Sequence, residues 1–505
     1  METITPASET RSRTLAFVAA GLFAILCVWL NPVGYVGAGA DDEQYLEAAR
    51  CWVAYGGPCL PEDHWWSRWP VIAPVAASIA LFGESRFAVG VGPALSWALA
   101  MFSIAALGTR WFGWRAGVAA LVALAATPVV AVFALTPNPN VTELAFQLAA
   151  LLAATIAFQR QSVGYAVLGG LLAAFALASR NTSILFLGIS AWSWLFLDAD
   201  KRKVLLWAIL GLAIGVMAEM AVYAAATGDP LYRYLLAMNH TGIPSAALPD
   251  DFDITQSALF NPAYVAAWER EAGVQVFWPI DGWLNLMVGA RMAPLLWSAL
   301  FAVVLLRSNL AASTKRHLGM LWLATAFIVV MLTWGLAIDP KARMFMGLAA
   351  VSALTLGAII KASWGKPAAS LALGLLIAHV GLSLVTIRAY PASREAEKVA
   401  ATWIAEHGDR IELHHGAASY LTLLPESHDL PLRGAGRDLL IAMTGGPCEA
   451  LVGSDEDGPT GRVLASAGGN AASQGRICLF EYADDYWERF PERLGAGENG
   501  VEGEI

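Results

Sequence analysis

Apolar runs alternate with short polar breaks along most of the chain, at residues 15–30, 70–83, 87–108, 116–135, 141–158, 163–179, 182–197, 204–226, 286–306, 318–337, 343–360 and 368–387. Most approach or exceed the ~18 apolar residues that a bilayer-crossing helix needs, so they predict membrane spans. The run 70–83 differs, because fourteen residues at ~1.5 Å each cover only ~21 Å of a ~30 Å hydrocarbon core. It predicts a helix lying in the outer interface. Past Tyr390 the runs stop and roughly 115 residues of mixed sequence follow. There, helix-like stretches (Arg394–His407, Arg437–Met443) alternate with short apolar strands (Arg410–Leu413, Ala450–Val452, Ile477–Phe480). That alternation predicts a small α/β domain.

Composition agrees with the runs: 57% of residues are hydrophobic and only 14% charged. The expectation is an all-α polytopic membrane protein with a C-terminal α/β domain. The net charge of −9 says little about nucleic acid, because its placement is what matters, and no nucleic-acid partner is expected. Placement of the charges fixes the topology. Arg11 and Arg13 precede the first run, so the N-terminus should be cytoplasmic. If 70–83 does not span, Arg110/Arg115, Lys201-Arg202-Lys203, Arg307/Lys315/Arg316 and Lys361/Lys366 all fall inside. About eleven spans result. Residues 32–86 become the first outer loop, 227–285 the large outer loop, and 390–505 an extracytoplasmic domain following a membrane domain at 1–389.

Ala38-Gly39-Ala40 resembles a signal-peptidase site, but the preceding run is long and ends eight residues earlier, so an uncleaved first span is expected. Cys51 with Cys59, and Cys448 with Cys478, form two outer pairs, while Cys27 stands alone in the first span. Bridges or free thiols both remain open for each pair. The arrangement fits an oxidising compartment such as the bacterial periplasm, and hence a bacterial inner-membrane location.

Four features gather on the outer side. Asp41-Asp42-Glu43-Gln44-Tyr45 puts two carboxylates at the start of a helix-like segment, where the helix dipole favours them. His64-Trp65-Trp66-Ser67-Arg68-Trp69-Pro70 sets a guanidinium among interfacial aromatics, at the depth of an anionic headgroup. Arg180 is a lone charge between two apolar runs. Asn239-His240 and Asp250-Asp251-Phe252-Asp253 offer candidate metal ligands. Each has a plainer reading: an acidic helix cap, Trp anchors, a snorkelling arginine and a solvated loop.

Taken in order, these motifs resemble the GT-C glycosyltransferases, above all protein O-mannosyltransferases and the bacterial aminoarabinose transferases of lipid A. The resemblance covers roughly residues 10–390. It makes Asp41 the match to the catalytic acid, with Asp42 and Tyr45 beside it. It places Arg68 and Arg180 where the family has phosphate-binding lysines, and Arg343 where it has an Arg-Tyr at a late span. His240 matches a metal-binding position of some members. Two departures weaken the metal implication. Ser67 replaces an acidic residue, and the second acidic position near Asn138-Pro139-Asn140 is Asn or Val. The resemblance implies an inverting glycosyltransferase that takes a polyprenyl-phosphate sugar to a lipid, glycan or protein acceptor, with a divalent metal ion as its candidate cofactor. A carrier or flippase for a lipid-linked sugar or organic anion is the competing reading.

Overall fold

The computed structural model describes residues 6–31, 41–61, 64–184, 199–238, 286–287, 289–332, 342–388, 393–414, 417–418, 421, 423–424, 427, 429–444, 448–451, 454–455, 458–459, 461–467 and 476–491. Its membrane part is built from α1 (Pro6–Leu30), α2 (Asp41–Tyr55), α3 (Trp69–Phe82), α4 (Arg86–Phe112), α5 (Trp114–Ala126), α6 (Pro128–Val132), α7 (Pro139–Arg160) and α8 (Val163–Ser179). After these come α9 (Ala199–Thr227), α10 (Tyr232–Met238), α11 (Ala293–Leu306), α12 (Ala312–Val330), α13 (Met346–Ser363) and α14 (Ala368–Arg388).

Among the described residues, six helical stretches are long and apolar enough to cross a membrane: Thr10–Leu30, Arg86–Phe112, Pro139–Arg160, Arg202–Thr227, Ala342–Ser363 and Ala368–Arg388. Shorter apolar helices accompany them, α3 included. The outermost members declare a lipid-facing side. On α1, Ala20, Ala24 and Cys27 are buried while Leu15, Val18, Leu22 and Ile25 are exposed. Ile377, Leu382 and Val385 are likewise exposed on α14. Such apolar faces are stable only against hydrocarbon or another apolar surface. At the centre, α13 packs on α5 and α11 and is buried along most of its length. Small residues permit that approach: a methyl on Gly357 would meet the Ala116 carbonyl oxygen at 2.5 Å.

Several boundaries depart from the hydrophobic runs. The run 116–135 is not one helix but breaks at Thr127 into α5 and α6. Pro128 has no N–H and disfavours helical geometry at the residue before it. The freed Ala123 carbonyl accepts from Thr127 Oγ1 at 2.9 Å and lies 2.9 Å from His379 Nε2. At the far end of α6, Asn31 Nδ2 donates to the Val132 carbonyl at 3.0 Å. The helix of the run 286–306 begins at Ala293, with Pro294 in its first turn, where a missing N–H costs nothing. Only the beginning of the run 182–197 is described, and there Asn181–Ser183 forms a 3-10 turn.

The C-terminal part contains helix α15 (Ser393–His407), strands β1 (Ile411–Leu413), β2 (Leu439–Thr444), β3 (Ser454–Asp455), β4 (Gly458–Pro459), β5 (Gly461–Ala467) and β6 (Arg476–Tyr482), and helix α16 (Tyr486–Arg489). The main sheet has the order β1-β2-β6-β5, with β1 parallel to β2 and the other pairs antiparallel. Ala396, Ala400, Trp403 and Ile404 pack with Ile411, Leu439, Ile441 and Leu479 in one cluster, while Leu440, Phe480 and Tyr482 join Tyr486 in another.

Two expectations for this region are corrected. The stretch 437–443 is not helical but contributes β2. Covered on both faces, it lacks the polar–apolar alternation that marks a half-exposed strand. The expected strand at 450–452 is replaced by a 3-10 turn, Cys448–Leu451. Both cysteine pairs are bridged, with Cα–Cα distances of 6.1 Å for Cys51–Cys59 and 5.8 Å for Cys448–Cys478, and Cys27 is a buried free thiol.

The tail touches the first-loop helices. Arg86 at the start of α4 pairs with Glu397 of α15 at 3.0 Å. Leu423 packs against the cluster formed by Tyr45, Leu46, Ile72 and Val75. These contacts set the C-terminal part against α2, α3 and the start of α4.

Candidate functional site

Helix α2 begins at Asp41, whose side chain lies outside the described residues; Asp42, next in line, is buried. One turn on, Tyr45 is fully buried between α2 and α3, and its hydroxyl bonds the Arg68 guanidinium. Arg68 occupies the residue just before α3 and also lies 5.8 Å from the Tyr45 ring centroid. The turn that delivers it is fixed locally. Ser67 Oγ donates to the His64 carbonyl at 2.6 Å, and Trp66 Nε1 donates to Gln44 on α2 at 3.3 Å.

Arg180 ends α8 in extended backbone and is buried. Its Nη1 donates to Asn140 Oδ1 at 2.6 Å and stands 3.9 Å from Glu143 Oε2, while Nη2 meets the Met344 sulfur. Asn140 is in turn oriented by Asn138, the N-cap of α7, whose Oδ1 accepts from its backbone N–H at 2.9 Å. Arg343 belongs to the 3-10 turn Ala342–Phe345 that leads into α13. Arg180 lies within electrostatic reach of Glu143, Arg68, Arg343 and Tyr45. Three arginines from distant parts of the chain therefore share one location with a tyrosine and a glutamate.

A second polar network holds the frame. Arg233, fully buried, pairs with Glu219 at 3.1 Å and donates to the carbonyls of Leu177 at 2.9 Å and Ala178 at 2.7 Å. Those carbonyls end α8 and would otherwise lack donors. Glu219 also accepts from Trp69 Nε1 at 2.8 Å. Trp69 follows Arg68 and Ala178 precedes Arg180 by two residues, so the network ties together the backbones that carry both arginines.

Below the cluster runs an apolar cavity of about 970 Å³ between α7, α8, α9, α12 and α13. Asn140, Glu143 and Arg343 line one end, and Arg316 and His317 the other. Its wall on α7 extends from Glu143 to Phe158, ~22 Å of helix. The arrangement puts Arg343 on the wall of a long apolar cavity, with Arg180 bonded to Asn140 and close to Glu143 on the same wall.

The structure brings Tyr45, Arg68, Arg180 and Arg343 within reach of one another and sets Asp42 on the same helix as Tyr45. His240 lies outside the described residues. Among the described residues no group of three or more His, Cys, Asp or Glu is arranged to hold a metal ion. Sequence reasoning missed Glu143, Glu219 and Arg233. The first two were legible as lone acids inside apolar runs, where an ionisable side chain needs a partner.

Residues 69–223 match the family model described as dolichyl-phosphate-mannose-protein mannosyltransferase, a stretch that includes Asn140, Glu143 and Arg180. No curated protein matches the chain in sequence. Among solved structures, the oligosaccharyltransferase of Archaeoglobus fulgidus, in complex with Zn and sulfate, aligns with a TM-score of 0.53 and 13% identity, over 85% of this chain and 68% of that one. ArnT from Cupriavidus metallidurans aligns with a TM-score of 0.41 and 16% identity, over 94% of this chain and 98% of that one. The chain thus resembles the GT-C glycosyltransferases in a family segment and in fold.

Proposed function

We propose that this protein is an inverting glycosyltransferase that takes a sugar from a polyprenyl-phosphate donor and passes it to an acceptor hydroxyl or amine. The observation that carries the reading is the arginine cluster, of which Arg343 lines the apolar cavity and Arg68 and Arg180 stand within electrostatic reach of one another. Guanidinium groups match phosphate oxygens in geometry and charge, and a channel about 22 Å long suits a prenyl tail. The family model supports the same donor class, because its description names a polyprenyl-phosphate sugar.

The chemistry follows from the groups. The acceptor oxygen or nitrogen attacks the anomeric carbon as the bond from that carbon to the phosphate oxygen breaks. Asp41 takes the acceptor's proton, and Asp42 orients Asp41 or the acceptor. The departing phosphate needs no proton but gains charge, which Arg68, Arg180 and Arg343 stabilise. One displacement inverts the configuration. A divalent metal is assigned no step.

The topology is read with eleven spans, α3 in the outer interface, and the site and C-terminal domain on the periplasmic side of a bacterial inner membrane. The acceptor is a lipid, glycan or protein.

The cavity also favours a second reading, because it reaches from the cluster to Arg316 and His317 at its other end, as a carrier's path would. The test separates the two. The protein is placed in vesicles with a labelled polyprenyl-phosphate hexose and an acceptor fraction from its own cells. The transferase reading predicts acceptor-dependent release of free polyprenyl phosphate. Movement of intact donor across the bilayer, without cleavage, would establish the carrier instead.

A further inference from the structure

Glu143 is a buried carboxylate among cations, and the reaction above gives it no step. It lies one turn along α7 from Asn140, with side-chain exposures of 10% for itself and 9% for Arg180. Its Oε1 accepts from Ser183 Oγ at 2.6 Å, from Thr182 Oγ1 at 3.2 Å and from Gln147 Nε2 at 3.2 Å. It therefore holds both the Arg180 guanidinium and the turn that follows Arg180. All three hydrogen bonds need only an acceptor oxygen, which a neutral glutamine would also provide. The charge is the feature that needs a reason, because a buried charge is costly.

The reason lies in how charge changes on transfer. A polyprenyl-phosphate sugar is a phosphodiester with one negative charge, whereas the phosphomonoester left behind carries about −1.5 to −2 at pH 7. Arg68, Arg180 and Arg343 together would hold that product more tightly than the donor, and turnover would stall at release. A carboxylate 3.9 Å from Arg180, on the wall of the same cavity, opposes the extra product charge most. We propose that Glu143 is a positioning residue that aims Arg180 and offsets its charge, so that the phosphomonoester product can leave. The inference rests on reading the arginine cluster as the donor-phosphate site.

The test uses the full chain in nanodiscs, with a polyprenyl phosphate and its hexose phosphodiester as probes. Glu143→Gln should bind polyprenyl phosphate roughly tenfold more tightly, the scale of one unit charge about 12 Å away at an effective dielectric near 20. The diester should tighten less. Steady-state kcat and KM should fall together, while the single-turnover rate stays near wild type. Glu143→Asp should keep wild-type product affinity, and Glu143→Asn gives a second uncharged comparison that keeps an acceptor oxygen if the glutamine variant does not fold. Equal product affinity in wild type and the uncharged variant would overturn the proposal. So would a fall in kcat with KM unchanged, the mark of a purely structural role. A wild-type protein that binds neither probe would instead overturn the phosphate-site reading, and this inference with it.

Discussion

At the scale of single residues, the charges that matter are those the membrane makes expensive. Arg180 stood out in sequence because nothing charged adjoins it between two apolar runs, and the structure gives it Asn140 and Glu143 as partners. Arg68 reads in sequence equally as an interfacial anchor, and the bond to the Tyr45 hydroxyl distinguishes it. Glu143 is less legible, because the resemblance points to an acid at the Asn138-Pro139-Asn140 turn, whereas the acid stands three residues further on, inside the apolar run. If both arginines serve the donor phosphate, Arg68→Ala and Arg180→Ala should each weaken binding of a polyprenyl-phosphate sugar. One charge-assisted hydrogen bond is worth ~1.5–3 kcal/mol, or roughly 10- to 150-fold in affinity. Unchanged affinity in both variants would reduce them to membrane anchors and structural partners.

At the scale of elements, hydrophobic runs located most helices but misjudged where they begin and break. Composition cannot show that Pro128 divides 116–135, since every residue around it is apolar enough to continue. Strand β2 was misread for a related reason, because burial on both faces erases the alternation that distinguishes strand from helix. The Glu219–Arg233 pair acts at this scale, joining the start of α3, the end of α8, α9 and α10. Truncating one partner leaves a buried charge without its counter-ion, which typically costs ~3–5 kcal/mol. Glu219→Ala should therefore lower the melting temperature of the detergent-solubilised protein. The double variant Glu219→Leu with Arg233→Met should recover much of that loss, because the uncompensated charge is gone, yet keep weakened donor binding. Full recovery of donor affinity in the double variant would show that the strut does not position Arg68 and Arg180.

At the scale of the whole molecule, one face collects the start of α2, the arginine cluster and the C-terminal domain. The spacing of basic residues puts residues 32–86 and the tail on a common side as an expectation. The contacts Arg86–Glu397 and Leu423 with the Tyr45 cluster are not legible in sequence, because they join segments hundreds of residues apart. The proposed mechanism gives the acceptor's proton to the carboxylate that opens α2. Asn at that position keeps size and hydrogen bonding but cannot accept a proton at neutral pH. The decisive measurement is the rate of polyprenyl phosphate release from a labelled donor by Asp41→Asn, alongside its donor affinity. The account predicts a fall of about 10²–10⁴-fold in rate with donor binding close to wild type. Release at the wild-type rate would contradict Asp41 as the base, and with it the mechanism proposed for this site.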